Sequence, residues 1–276
     1  MADKAILFDA TRCTACRGCQ AACKQWNEND EGEGEKTTNF GSYENPKDLS
    51  PKTWLKMEFR ETERAGKVRW LFTRRACMHC TNAACVKVCP NGSLYHNELG
   101  FVAYNKDTCT GCGYCHDFCP FQVPRLARTS DLTTQGKMDK CVFCSSPGLD
   151  RIAAGLEPAC VKTCPPDALE FGDRDKLVAE GRKRVTTLRT KGFGNAYLYG
   201  DKELGGLHVM YVLDDSPQAY GLIKDPQIPA AAIAWHDILK PVGWAAVGLT
   251  VVGLGLNYVI AREAKMTHDL PGKKEK

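Results

Sequence analysis

All sixteen cysteines of this 276-residue chain lie between Cys13 and Cys164, in four groups of four. The groups are Cys13, Cys16, Cys19 and Cys23; Cys77, Cys80, Cys85 and Cys89; Cys109, Cys112, Cys115 and Cys119; and Cys141, Cys144, Cys160 and Cys164. Each contains a C-x-x-C pair and closes with C-x-x-x-C. A 4Fe-4S cube takes four thiolates, and a short loop carrying three cysteines can wrap it corner by corner. The pattern therefore predicts four 4Fe-4S clusters, a wire for single electrons.

Disulfide frameworks belong mainly to small secreted domains and seldom repeat this short spacing. Structural zinc uses C-x-x-C hooks in pairs, not triplets closing with C-x-x-x-C-P. The first and third groups follow C-x2-C-x2-C-x3-C, the second encloses Thr81 to Ala84 in its wider gap, and the fourth has fifteen residues between Cys144 and Cys160. The spacing places the last cysteine of each group at the start of a helix. Pro90, Pro120 and Pro165 follow that cysteine in three groups and suit a first helical turn; Lys24 stands there in the first group.

In two-cluster ferredoxins the fourth thiolate serves the other cube. The adjacent second and third groups then form one module over 70–130, with Cys77, Cys80, Cys85 and Cys119 on one cube and Cys89, Cys109, Cys112 and Cys115 on its neighbour. By the same logic, 1–30 pairs with 138–175: Cys13, Cys16, Cys19 and Cys164 on one cube, Cys23, Cys141, Cys144 and Cys160 on the other. The predicted fold is α+β: two ferredoxin-like modules, each with two 4Fe-4S clusters and one inserted in the other, then a single C-terminal transmembrane helix.

Lys4 to Asp9 and Ala168 to Gly172 read as strands that pair and close the outer module. Ser93–His96 with Phe101–Tyr104, and Trp54–Arg60 with Val68–Arg74, read as hairpins. Leu207–Leu213 reads as a strand and Asp175–Lys191 as a surface helix. The polar stretch Trp26–Pro51 reads as a long solvated loop. The formal charge of +4 omits the cubes. At about −2 each they turn the holoprotein to about −4, which argues against nucleic acid as a partner.

Pro241–Ala261 runs 21 residues without a charge, enough to cross the hydrocarbon core of a bilayer. Trp244 and Tyr258 sit near its ends, and Gly243, Gly248, Gly253 and Gly255 suit close packing between membrane helices. The domains expected are 1–229 for the clusters and 230–276 for an anchor in membrane lipid with a basic tail. Arg262, Lys265, Lys273, Lys274 and Lys276 follow the span, against Lys224 and Lys240 before it. The positive-inside rule thus puts the C-terminus in the cytoplasm and the cluster domain outside, periplasmic in a Gram-negative cell. The apolar run Ala5–Phe8 is too short for a secretory signal, so export as the folded passenger of a twin-arginine partner is expected. A cytoplasmic domain, the alternative, runs against the charge bias.

Between the cysteines lie W-N-E-N at 26–29, Y-E-N-P-K-D-L-S-P-K-T-W at 43–54, C-M-H-C at 77–80 and G-C-G-Y-C at 111–115. P-F-Q-V-P-R-L at 120–126, E-P-A-C-V-K-T-C-P at 157–165, H-V-M-Y-V-L at 208–213 and K-P at 240–241 follow. Together these resemble the iron–sulfur (beta) subunit of membrane-bound respiratory formate dehydrogenase, from the N-terminus to the end of the membrane helix. The resemblance implies a molybdenum or tungsten pterin catalytic subunit that oxidises formate and a membrane cytochrome subunit that passes electrons to quinone. It also supports the exchanged ligands and the external domain.

On this reading the chain transfers electrons and carries no catalytic residue. Lys87, Lys140 and Lys162 adjoin ligands and read first as surface lysines, the alternative being cations that raise a neighbouring potential; His79 and His116 read as packing or hydrogen-bonding residues. The alternative is the equivalent subunit of another membrane oxidoreductase, of the hydrogenase or sulfoxide reductase type, because the substrate binds on another chain.

Overall fold

In K-A-I-L-F-D successive side chains point to opposite faces, and both faces are apolar. The computed structural model describes residues 2–29, 41, 43–64, 66–127 and 136–268. In it, this segment is strand β1 (Lys4–Asp9). Ala5 and Leu7 pack on Leu177, Val178 and Val185 of the long helix that follows the fourth cysteine group. Ile6 and Phe8 face the other way, into a core shared with Cys19, Cys23, Cys141 and Cys160. Covered on both faces, β1 reads as a continuous apolar run rather than an alternating one.

The remaining elements, in chain order, begin with α1 (Gly18–Trp26), β2 (Leu55–Arg64), β3 (Lys67–Ala76), α2 (Ala84–Lys87), β4 (Leu94–His96) and β5 (Val102–Tyr104). Then come α3 (Tyr114–Asp117), β6 (Arg125–Leu126), β7 (Met138–Asp139), α4 (Ala159–Lys162), β8 (Leu169–Asp173), α5 (Arg174–Thr190), β9 (Tyr197–Tyr199) and β10 (Val209–Leu213). The principal sheet has the order β8-β1-β10-β9. β8 runs antiparallel to β1, as expected of the strand leaving the fourth group, and Lys4 Nζ meets Asp173 Oδ1 across the pair at 2.6 Å. β10 lies parallel to β1, with Ile6 opposite Val209, a long-range pairing not anticipated from the sequence. Its Met210 and Val212 join the α5 side, while Val209, Tyr211 and Leu213 join the cysteine side. The sheet is thus a partition with α5 on one face and thiols on the other. Close approach of α5 needs Gly181, where an added Cβ would stand 2.7 Å from Leu198 Cδ1.

Both expected hairpins form, as β2–β3 and β4–β5, with β2 and β3 longer than the sequence indicates. The expectation for the helices needs correction. In every group it is the third cysteine that opens a helix: Cys19, Cys85, Cys115 and Cys160 are each the second residue of α1, α2, α3 and α4. The prolines stop these helices instead of starting them. Proline disfavours helical geometry in the residue before it, so Cys89, Cys119 and Cys164 fall just beyond four-residue helices. With Lys24 in place of proline, α1 continues to Trp26 and carries Cys23 inside it.

Part of the 26–51 stretch, residues 30–40 and 42, falls outside the described residues. The described part of the segment before β2 is a surface loop with packed anchors: Tyr43, Lys47 and Asp48 are exposed, whereas Leu49 is buried, and Glu44 accepts hydrogen bonds from Lys56 Nζ at 2.7 Å and the Phe59 amide at 3.0 Å.

Contacts divide the chain into Met1–Pro229 and Ala230–Lys276. The second unit is a helical run, α6 (Ala230–Ala234), a π-helical stretch Trp235–Leu239 and α7 (Lys240–His268). Among the described residues this run is the one helix long and apolar enough to cross a membrane. Side chains added at Gly243, Gly248, Gly253 or Gly255 would meet nothing within 4 Å.

Candidate iron–sulfur centres

The four cysteine loops share one backbone device. The residue just before the second cysteine of each group is left-handed: Ala15 at φ 53°, His79 at 48°, Gly111 at 70° and Phe143 at 55°. Only one of the four is glycine, so three loops accept the steric cost that side chains incur there. This turn aims amides at sulfur. Ala15 N–H lies 3.4 Å from Cys13 Sγ, and the His79 amide donates toward Cys77. Cys119 receives amides from Phe121, Gln122 and Val123. Hydrogen bonds to sulfur of this kind help set the potential of an iron–sulfur centre.

The sixteen thiols divide by burial. Cys19, Cys23, Cys77, Cys115, Cys141, Cys144 and Cys160 are buried, Cys16 is exposed, and Cys13, Cys80, Cys85, Cys89, Cys109, Cys112, Cys119 and Cys164 are intermediate. None is in a disulfide.

They also divide by neighbourhood. Burial pushes Cys13 up to about 11, with Cys164 and Cys16 adding to it, and Cys19 up to about 12 beside Cys160, Cys13 and Cys164. Burial raises Cys23, whose other neighbours are Cys141, Cys160 and Cys144, and takes Cys144 to about 12 beside Cys160 and Cys141. Burial raises Cys80 and Cys85 in a set with Cys77 and Cys119. Cys115 goes to about 12 through burial and then Cys112, Cys109 and Cys89. Among the described residues no three such groups converge closely enough for a single metal ion. Tetrahedral zinc needs that convergence, whereas a cube spreads its thiolates over four separate irons.

Two buried cations stand among these thiols. Lys140, read from the sequence as a surface lysine, is 1 % exposed; its Nζ donates to the carbonyls of Val102 at 2.6 Å and Cys141 at 3.0 Å. Lys162 is exposed and Lys87 is intermediate. Arg74, which the sequence did not single out, is also 1 % exposed, with Nη2 3.9 Å from Cys160 Sγ. Burial opposes its charge, but Cys160, Tyr211, Cys141 and Cys19 hold its pKa above the ordinary value. Its one sequence signal is alternation: on β3 it shares a face with Phe72 and Ala76. Buried cations without carboxylate partners are costly, so this interior fits groups that bring negative charge with them.

The histidines serve as packing and hydrogen-bonding residues. His79 is wedged against Phe101 and Phe143, and burial, then Lys140, holds its pKa well below the usual range. His116 Nδ1 lies 2.8 Å from the Pro124 carbonyl oxygen.

Family models described as 4Fe-4S dicluster domains match residues 12–93 and 68–174. The nitrate-inducible formate dehydrogenase iron–sulfur subunit of Escherichia coli is 40% identical over 94% of this chain and 85% of its own length. The chain belongs to the formate dehydrogenase iron–sulfur subunits. The formate dehydrogenase-O iron–sulfur subunit of E. coli is 42% identical over 88% of this chain and 78% of its own length. The formate dehydrogenase iron–sulfur subunit of Haemophilus influenzae is 41% identical over 88% of this chain and 76% of its own length. Like this family, the chain is an electron-transfer subunit, and its two dicluster domains and sixteen cysteines accommodate four 4Fe-4S clusters.

Proposed function

We propose that this iron–sulfur subunit carries electrons from a pterin-bearing formate-oxidising subunit, with molybdenum or tungsten, to a membrane cytochrome subunit and quinone. The observation that carries the reading is the division of the thiols into neighbourhoods matching exchanged ligands. Cys13, Cys16, Cys19 and Cys164 would hold one cube; Cys23, Cys141, Cys144 and Cys160 a second; Cys77, Cys80, Cys85 and Cys119 a third; Cys89, Cys109, Cys112 and Cys115 a fourth. The outer module would then be 1–30 with 138–175, enclosing 70–130.

A 4Fe-4S cube takes up and releases one electron at a time. The protein's part is to fix spacing and exclude water. Cys19 has Cys160 as a neighbour, Cys77 has Cys141 and Cys85 has Cys115. These three adjacencies order the ligand sets as a line, named by their first cysteines: Cys13, Cys23, Cys77, Cys89. Exposed Cys16 belongs to one end of it.

The helical run from Ala230 would anchor the chain in membrane lipid, with a span at 241–261. The excess of Lys and Arg beyond it favours a cytoplasmic C-terminus and an external cluster domain.

The test is anaerobic isolation of the membrane complex through a tag on this chain, with iron analysis and formate-driven reduction of dye and of quinone. The reading requires about sixteen irons on this chain. It also requires that Cys77→Ser abolish quinone reduction while a dye taking electrons at the catalytic subunit is still reduced. A complex without formate activity but with another large subunit would move the same wire to a different oxidoreductase.

A further inference from the structure

Arg74 is the largest fully buried side chain among the described residues. Among the described residues its Nε and Nη1 have no hydrogen-bond partner, and Nη2 is 3.9 Å from Cys160 Sγ. Its largest electrostatic partners are the thiols of Cys160, Cys141 and Cys19 and the Tyr211 hydroxyl, Cys23 also feels its charge, and among the described residues no carboxylate forms an ion pair with it. Those thiols come from two ligand sets of the wire. The main chain at Arg74 is fixed from behind, because the Tyr211 hydroxyl donates to the Arg74 carbonyl at 2.6 Å. Across β2–β3 its partner is Met57, whose Sδ is 3.7 Å from Cys19 Sγ.

A buried guanidinium with unused donors and no anion would cost a large share of a domain's net stability. The donors therefore face acceptors that bear negative charge. Sulfur of the adjoining cubes is the acceptor the ligand sets supply. Arginine suits the place better than lysine, since its rigid fork offers several N–H groups in fixed directions.

We propose that Arg74 is a positioning residue at the junction of the first two cubes, donating to sulfur of the cube held by Cys160 and screening it from the cube held by Cys19, so that both are easier to reduce. When one cube passes an electron to the other, the donor is oxidised by one electron and the acceptor reduced by one; no bond forms or breaks. The arriving negative charge lies beside a fixed cation, which favours the reduced form. The inference rests on the ligand sets proposed above.

The experiment uses the tagged complex and follows each cube by EPR during redox titration. Cys160→Ala first identifies the signal of its cube by its loss, with loss of iron. If no iron or signal is lost, the ligand reading fails and the inference falls with it. Arg74→Met is then expected to lower the reduction equilibrium constant of that same cube at least tenfold, 59 mV for a one-electron couple. Arg74→Lys should give a smaller fall, and the cube of Cys89, Cys109, Cys112 and Cys115 should stay put. Unchanged potentials at full iron content overturn the proposal while leaving the ligand reading intact. If both variants lose iron, wild-type complex labelled with guanidino-15N arginine decides. A 15N hyperfine coupling on the reduced cube upholds the hydrogen bond, and its absence overturns it.

Discussion

Lys140 Nζ donates to the carbonyl of Val102 on β5, 2.6 Å away, and to the carbonyl of Cys141, its own neighbour in sequence. The ammonium lies 5.7 Å from the centre of the Tyr104 ring and has no carboxylate partner among the described residues. Cys77, Cys85 and Cys119 all feel its charge. On the proposed ligand sets it would stand where the set of Cys141 meets the set of Cys77, one junction along the wire from Arg74.

Lys140→Met tests that position. Methionine keeps the volume but leaves two carbonyls without a donor, a cost of about 1–3 kcal/mol. In the cluster-free chain that cost is offset by relief of a buried unpaired charge, so denaturant unfolding should shift by less than about 1 kcal/mol. In the holoprotein the loss of the cation should lower the midpoint of the cube on Cys77, Cys80, Cys85 and Cys119 by about 60 mV, a tenfold change in its equilibrium. Redox titration of that cube, with its potential unmoved, would show that the lysine serves only the carbonyls.

Thiol burial makes a separate prediction about pH. Cys13 and Cys77 rise to about 11, and Cys19, Cys115 and Cys144 to about 12, from an ordinary 9.0. Between those limits the folded cluster-free chain binds more protons than the unfolded chain, so stability falls as pH rises. The contribution is whole below pH 9.0 and is lost as pH passes through about 11 to 12. Urea midpoints of iron-depleted protein should therefore decline steadily above pH 9.0. Holoprotein, whose thiolates are held by iron, should lack that decline up to the pH at which its clusters decay. A flat profile for the depleted chain would mean that its thiols are not buried once iron is gone.

Much of this arrangement is legible before any coordinates. The strands β1 and β8 and both hairpins follow from short apolar runs bounded by turn residues, and α5 from Leu and Val at helical spacing, all local signals. The place of β10 beside β1 is not local: their sequences lie some two hundred positions apart, and nothing in V-M-Y-V-L names its neighbour. Arg74 draws no notice in the sequence, and Lys140 reads there as a surface lysine, for a different reason. Sequence patterns treat charged side chains as solvated, and that rule fails where the interior contains inorganic anions. The cysteine spacing carried the cluster count. It did not reveal which cysteine begins each helix, because the left-handed residues that set the loop include Ala15, His79 and Phe143 as well as a glycine.

The missing proline of the first group has a structural consequence that can be tested. Because α1 runs on past Lys24, Trp26 reaches the fifteen-residue insertion of the fourth group. Trp26 Nε1 donates to the Leu149 carbonyl at 2.9 Å, and the Arg151 guanidinium lies 4.5 Å from the centre of the Trp26 ring. Asn27 Nδ2 donates to the Cys23 carbonyl at 2.8 Å, closing the helix over the buried thiol. Lys24→Pro would make the first group resemble the other three. It would also force Cys23 out of helical geometry and clash with the preceding turn, at a cost of about 3 kcal/mol. The expected result is loss of Trp26 packing, seen as a red shift of its fluorescence, together with loss of the cube held by Cys23, Cys141, Cys144 and Cys160. The cubes proposed for the second and third cysteine groups should remain. Full iron content with unchanged fluorescence in Lys24→Pro would mean that the longer helix is incidental to holding the insertion.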